Sequence, residues 1–236
     1  MIYHVNTLLR ALRHNLGDFK NPDNFKVTHR LSSVNDLGDF VDDYDLFLLD
    51  RDCTLQHYHG TERVLEFEET LQRISPKSEI ISNSSFETFL GIRDVYGELF
   101  PINKLVRFSG FGSPHLLRIL DGELLVYNSG FVDETSVFKG VGDSLLFDIE
   151  HDYDKPDPSV VNTVIGLNKE EGNIFENPRV LMVGDKYLTD IMAGNLAGVD
   201  TARVKPYKPL SDKFYLMLVR YFLDSPIGTI MSKNYS

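Results

Sequence analysis

Apolar residues fall along this chain in short blocks, each cut off by polar turn formers, and the blocks alternate with longer stretches at helical spacing. Leu46-Phe47-Leu48-Leu49 stops at Asp50; Ile80-Ile81 stops at Ser82-Asn83-Ser84-Ser85; Val180-Leu181-Met182-Val183 stops at Gly184-Asp185. A short, continuous apolar run bounded by turn signals predicts a strand buried on both faces, as in a parallel sheet. Strands are predicted over 45–49, 79–81, 145–149, 179–183 and 201–204, and helices over 62–73, 84–90, 158–167, 188–197 and 210–223. In the last of these Phe214, Leu218 and Tyr221 or Phe222 recur at helical spacing. Strands alternating with helices predict an α/β fold: three layers around a mainly parallel, Rossmann-like sheet.

Two stretches depart from that alternation. Apolar runs at 116–120 and 123–127 flank Asp121-Gly122, a strong two-residue hairpin signal, so residues of about 92–143 read as a small β-containing insertion. Two readings stay open: a cap over a site, and an excursion that extends the sheet edge. At the start, Ile2, Val5, Leu8, Leu9, Leu12 and Leu16 fall on one helical face with Arg10, Arg13 and His14 around it. Such a basic amphipathic helix can lie in a membrane interface, pack on the sheet, or act as an organellar presequence. The expected organisation is a basic N-terminal segment over 1–34, a domain over 35–223 carrying the insertion, and a tail over 224–236.

Composition narrows the class. With 236 residues, 42% of them hydrophobic, the chain can bury one substantial core. No apolar run approaches the roughly 20 residues of a membrane span. Cys53 is the one cysteine, which excludes an internal disulfide and a multi-cysteine metal site and fits a reducing compartment. The expected location is the cytoplasm or a membrane surface reached from it, with the mitochondrion open for a eukaryotic chain, and not secretion. Net charge is −11, but unevenly spread: +3 over 1–34, −18 over 35–202 and +4 over 203–236. So acidic a body argues against nucleic acid as a partner, while the basic ends suit peripheral contact with an anionic membrane.

The chemistry sits where the apolar runs end. Alternate residues of an extended strand point the same way, so Asp50 and Asp52 are expected to face one pocket from the C-terminal end of a strand, where open α/β sheets bind ligands. Two carboxylates there, with no basic neighbour on that face, repel one another and attract a divalent cation. Ser82 closes a second strand, Lys155 lies in Asp154-Lys155-Pro156-Asp157-Pro158 before a helix, and Gly184-Asp185-Lys186-Tyr187-Leu188-Thr189-Asp190 follows a third strand. Taken singly, each has a structural explanation: Asp185 and Asp190 as helix N-terminal residues, 82–85 as a turn, Lys155 as an exposed lysine. Those explanations do not account for the order in which these residues arrive at strand ends.

Asp50-x-Asp52-x-Thr54, Ser82, Lys155 and Gly184-Asp185-x-x-x-Thr189-Asp190 resemble the four motifs of the haloacid dehalogenase superfamily of phosphatases. The extension to Gly194-Asn195-Leu196-Ala197-Gly198 resembles the IIIA branch, which holds bacterial YqeG-type proteins and mitochondrial phosphatidylglycerophosphate phosphatases. The resemblance covers about residues 25–223 and is tight around the motifs. It implies a Mg²⁺-dependent phosphomonoesterase. Asp50 would be the nucleophile and Asp52 the general acid and base. Asp50, Asp185 and the main-chain carbonyl of Asp52 would hold the metal. Thr54, Ser82, Asn83 and Lys155 would hold the phosphate, Thr54 also shaping the turn, and Gly184, Thr189 and Asp190 would support the site. The substrate implied is a phosphate monoester, with phosphatidylglycerophosphate, a membrane phospholipid, as the best single choice. Soluble sugar or nucleotide phosphates, and a binding protein without turnover, are the alternatives. Cys53 departs from the small polar residue usual at its place, and the span from Ser82 to Lys155 is long for this branch.

Overall fold

The computed structural model describes residues 17–58, 60, 62–82, 95, 105–109, 115–120, 123–128, 155–170, 172–208 and 224–232. They contain eight strands: β1 (His29–Leu31), β2 (Leu46–Leu49), β3 (Ser78–Ser82), β4 (Leu105–Ser109), β5 (His115–Leu120), β6 (Glu123–Asn128), β7 (Val180–Gly184) and β8 (Asp200–Val204). These form one sheet in the order β1-β8-β7-β2-β3-β4-β5-β6. All pairs from β1 to β4 across the sheet are parallel, and the last two, β4–β5 and β5–β6, are antiparallel.

The continuous apolar runs behave as a doubly covered sheet requires. Every residue of β2, β3 and β7 is buried. On one face Phe47, Leu49, Ile80, Leu181 and Val183 pack with Val34 and Leu37 and with Leu71 and Ile74 of helix α1 (Glu68–Ile74). On the other, Leu46, Leu48, Ile81 and Met182 pack with Val161 and Val164 of α2 (Pro158–Glu170) and Ala193 of α3 (Met192–Leu196). This is the expected three-layer α/β arrangement, with strand alternation dividing the core into two. Proline opening α2 suits a first-turn position, where its missing N–H costs nothing.

Chain order reverses beside β2. Chain-successive β3 and β4 lie to one side, β7 and β8 to the other, which makes the β2 C-terminal end a topological switch point. Register levels the strand ends there: Leu49 pairs with Val183 on one side and with Ile80 on the other.

The hairpin forms as the sequence indicates, with Leu120 paired to Glu123 across a two-residue connection. Its strands extend the central sheet at the β4 edge. Toward the two ends of the described residues, His29–Leu31 form β1 beside β8, Phe25 is fully buried, and α4 (Ser225–Ser232) packs on the turn before α3. The helix predicted over 62–73 begins later, as a 3₁₀ turn over Leu65–Phe67 leading into α1, and that predicted over 188–197 begins as a π-helical turn, Tyr187–Ile191. The expectations over 1–16, 84–90, 145–149 and 210–223 lie outside the described residues.

Candidate active site

Asp50 is the first residue after β2, and its N–H donates to Val183 O at 2.8 Å, so the parallel ladder with β7 fixes its backbone beside Gly184 and Asp185. Beyond it the chain does not stay extended. Thr54, Leu55 and Gln56 N–H groups all turn back to the Arg51 carbonyl, at 3.2, 2.9 and 3.3 Å, and Cys53 takes a left-handed conformation with φ of 63°. That conformation favours Gly or Asn, which gives a physical reason for a small polar residue at this place in the resembling family. It also corrects the strand-alternation argument for Asp52. The Asp52 carboxylate is partly exposed and accepts from Arg51, Nε at 3.1 Å and a terminal guanidinium nitrogen at 2.5 Å, with the Arg51 side chain itself buried. The expectation of no basic neighbour therefore fails for both aspartates, since Asp50 is also paired.

Its partner is Lys155. The lysine side chain is buried, with Nζ donating to Asp50 Oδ1 at 2.5 Å, to Asp190 Oδ1 at 2.7 Å and to Ile81 O at 3.2 Å. Asp190 enters from the Tyr187–Ile191 turn. Its second oxygen accepts from Lys186 N–H at 3.1 Å, so it ties that turn to the end of β7. Gly184, the last residue of β7, is where the two pieces meet, with no room for a side chain between it and Asp190.

Asp50, Asp185 and Asp190 are all buried, and their oxygens come within 4.8 Å of one another. Lys186 Nζ stands 3.5 Å from Asp185 Oδ1. Burial alone would push the Asp50 carboxyl up, but Lys155, Lys186 and Arg51 outweigh it and hold Asp50 below its ordinary range. Burial would likewise lower Lys155, but Asp190 and Asp50 hold it above its usual value. Lys186 is raised too, because the Asp50 and Asp190 charges outweigh its own desolvation. Asp190 ends up raised: burial and the Asp50 charge exceed the help from the two lysines.

The other residues singled out in the sequence are placed as follows. Ser82 ends β3 and is buried; Thr54 is fully buried in the turn after Asp52, its hydroxyl lacking a hydrogen-bond partner among the described residues. Thr189 is half-buried in the Tyr187–Ile191 turn. Asn83 lies outside the described residues. The structure thus brings Asp50, Asp185 and Asp190 together, with Lys155 in contact with Asp50 and Asp190, while Asp52 is drawn toward Arg51.

Three residues escaped the sequence reading. Arg51 lies between the two aspartates, where strand alternation would point it to the opposite face. Lys186 sat inside the last motif without a role. Asp224 left no sequence signal: it is buried, and its Oδ1 accepts from Leu188 N–H at 2.8 Å, capping the turn that carries Asp190.

A hard divalent cation fits this donor set. Three carboxylates against two ammonium groups leave an excess of negative charge, and Asp50 Oδ2 is buried with no hydrogen-bond partner among the described residues. All candidate ligands are oxygens, the preference of Mg²⁺ and its like. Asp50 and Asp185 would hold the ion, with Asp190 within reach.

Residues 153–206, which carry Lys155, β7 and the Asp185–Asp190 turn, match the family model described as HAD-hydrolase-like. Together with the parallel α/β sheet, the match supports membership of the haloacid dehalogenase superfamily and points to a hydrolase. No curated protein and no solved structure matches the chain.

Proposed function

We propose that this protein is a Mg²⁺-dependent phosphomonoester hydrolase working through an aspartyl-phosphate on Asp50, with phosphatidylglycerophosphate as substrate. The observation that carries the reading is the contact of Lys155 with Asp50 at the switch point of the sheet, beside Asp185 and Asp190. A carboxylate kept ionised in a buried site is a competent nucleophile only if its charge is held and its orientation fixed, and Lys155 does both.

In the proposed reaction a carboxylate oxygen of Asp50 attacks phosphorus as the bond to the leaving oxygen breaks. Asp52 gives that oxygen its proton. Asp52 then takes a proton from the water that attacks phosphorus, which breaks the bond to Asp50 and restores the carboxylate. Arg51 pairs with the Asp52 carboxylate, and the partial exposure of Asp52 would give the incoming water access. Ser82 and Asn83 supply donors to the phosphate oxygens. The bound Mg²⁺ would supply electrophilic polarisation of the phosphoryl group.

The substrate rests on the resemblance of residues 184–198 to the IIIA branch. Two features support a headgroup substrate. The β5–β6 hairpin continues the sheet edge, and the basic stretches 1–34 and 203–236 suit an anionic surface. Among the described residues no helix is long and apolar enough to cross a membrane, so the proposed contact is peripheral.

Phosphate release with Mg²⁺ from phosphatidylglycerophosphate in mixed micelles, measured beside a panel of soluble sugar and nucleotide phosphates, tests this. Preference for the lipid is expected. Release from a soluble ester alone would keep the mechanism and overturn the substrate; binding without any release would leave a binding protein on the same fold.

A further inference from the structure

We infer that Lys186 is the cation that meets the substrate phosphate, and that Lys155 is a positioning residue. This deepens the hydrolase reading and rests on it.

An ammonium group has three N–H donors. Among the described residues Lys155 Nζ meets three acceptors, Asp50 Oδ1, Asp190 Oδ1 and Ile81 O, at 2.5, 2.7 and 3.2 Å. With its side chain only 2% exposed, Lys155 has no donor to turn toward an incoming phosphate without giving up one of these contacts. Its charge is spent inside the protein, fixing Asp50 and Asp190.

Lys186 stands differently. Its side chain is 30% exposed, and its contact with Asp185 Oδ1, at 3.5 Å, is a charge pairing longer than a good hydrogen bond. Its backbone is nonetheless held firmly: the N–H donates to Asp190 Oδ2 at 3.1 Å, and its carbonyl accepts from Asp190 and Ile191 N–H at 3.2 and 3.1 Å. A rigid main chain one residue beyond Asp185 thus carries a flexible, solvent-reaching cation at the rim of the carboxylate cluster. A phosphate monoester dianion approaching three carboxylates meets strong repulsion, and a cation able to move with the phosphate offsets it.

The test compares wild type, Lys186→Met and Lys186→Arg by calorimetric titration with inorganic phosphate in Mg²⁺, and by steady-state kinetics on para-nitrophenyl phosphate. The loss of one charge-assisted contact is expected to raise both the phosphate Kd and KM by about tenfold or more in Lys186→Met, with kcat changed less. Lys186→Arg should recover most of the loss, and the melting temperature should stay near wild type. A phosphate Kd within about twofold of wild type in Lys186→Met, together with altered Mg²⁺ affinity, would mean that Lys186 only partners Asp185 and would overturn the inference. If wild type binds phosphate but turns over no monoester, the hydrolase reading fails while the Kd comparison still decides the role of Lys186. Wild type that binds no phosphate overturns both.

Discussion

A Cβ placed on Gly184 would lie 2.3 Å from the carboxyl carbon of Asp190. The end of β7 and the turn that follows it therefore close on each other at a distance only glycine permits. Asp190 cannot yield easily, since Lys155 and the Lys186 N–H grip its two oxygens. Gly184→Ala is expected to destabilise the fold by about 1–3 kcal/mol, the range for overpacking, and to lower activity by moving Asp190 off Lys155. Urea denaturation checks the first effect; unchanged stability and activity would mean that the turn relaxes freely.

Removing Lys155 should cost more than removing an ordinary core side chain. Lys155→Met leaves Asp50 and Asp190 buried together without their shared cation, a situation that typically costs about 3–5 kcal/mol. Denaturant titration in metal-free buffer reads this directly. A loss under about 1 kcal/mol would show that the pair tolerates separation and that Lys155 does not organise the site.

Metal binding makes its own prediction. A ligand that binds only the folded state raises its melting point. Mg²⁺ should therefore stabilise the wild-type protein, and Asp185→Ala should abolish most of that gain with little change in the metal-free melting point. An equal Mg²⁺ response in the two proteins would remove Asp185 from the ion.

Asp224 carries the pH dependence. Burial pushes its carboxyl up to about 6, the Leu188 N–H bond and the charges of Lys186 and Arg203 opposing this only in part. A carboxyl raised in the folded state favours its neutral form, so this stabilisation is complete below the ordinary value of 3.8 and is lost as pH rises toward about 6. Asp224→Asn keeps an oxygen for Leu188 N–H and removes the charge. It should be more stable than wild type at pH 7.5, by up to about 3 kcal/mol, and close to it at pH 4. Melting curves at the two pH values test the sign; a variant less stable at pH 7.5 would show that the Asp224 charge is needed.

The parts of the site that could be read in the sequence are those whose local pattern and tertiary role agree. β2, β3 and β7 are buried on both faces, so their apolar runs announce them, and the residues ending them converge because parallel strands end together. β1 could not be read: His29, Arg30 and Leu31 form three mixed residues at a sheet edge, half-buried, exposed and buried in turn, with no apolar run. Strand alternation does not give the path of Asp52, because it holds only while a chain stays extended and Cys53 leaves that conformation at once. Asp224 acts through a contact 36 residues away in sequence, with Gly228 of α4 set against Tyr187 to bring it there, and no local pattern encodes such a meeting.

The most direct test of the central claim is phosphate release by the purified protein in Mg²⁺, wild type against Asp50→Asn. Asparagine keeps the shape of the side chain and cannot form the acyl phosphate. Turnover by wild type and its loss by at least about a thousandfold in a folded Asp50→Asn protein is the expected result. Near-normal release by Asp50→Asn would contradict the account at its centre.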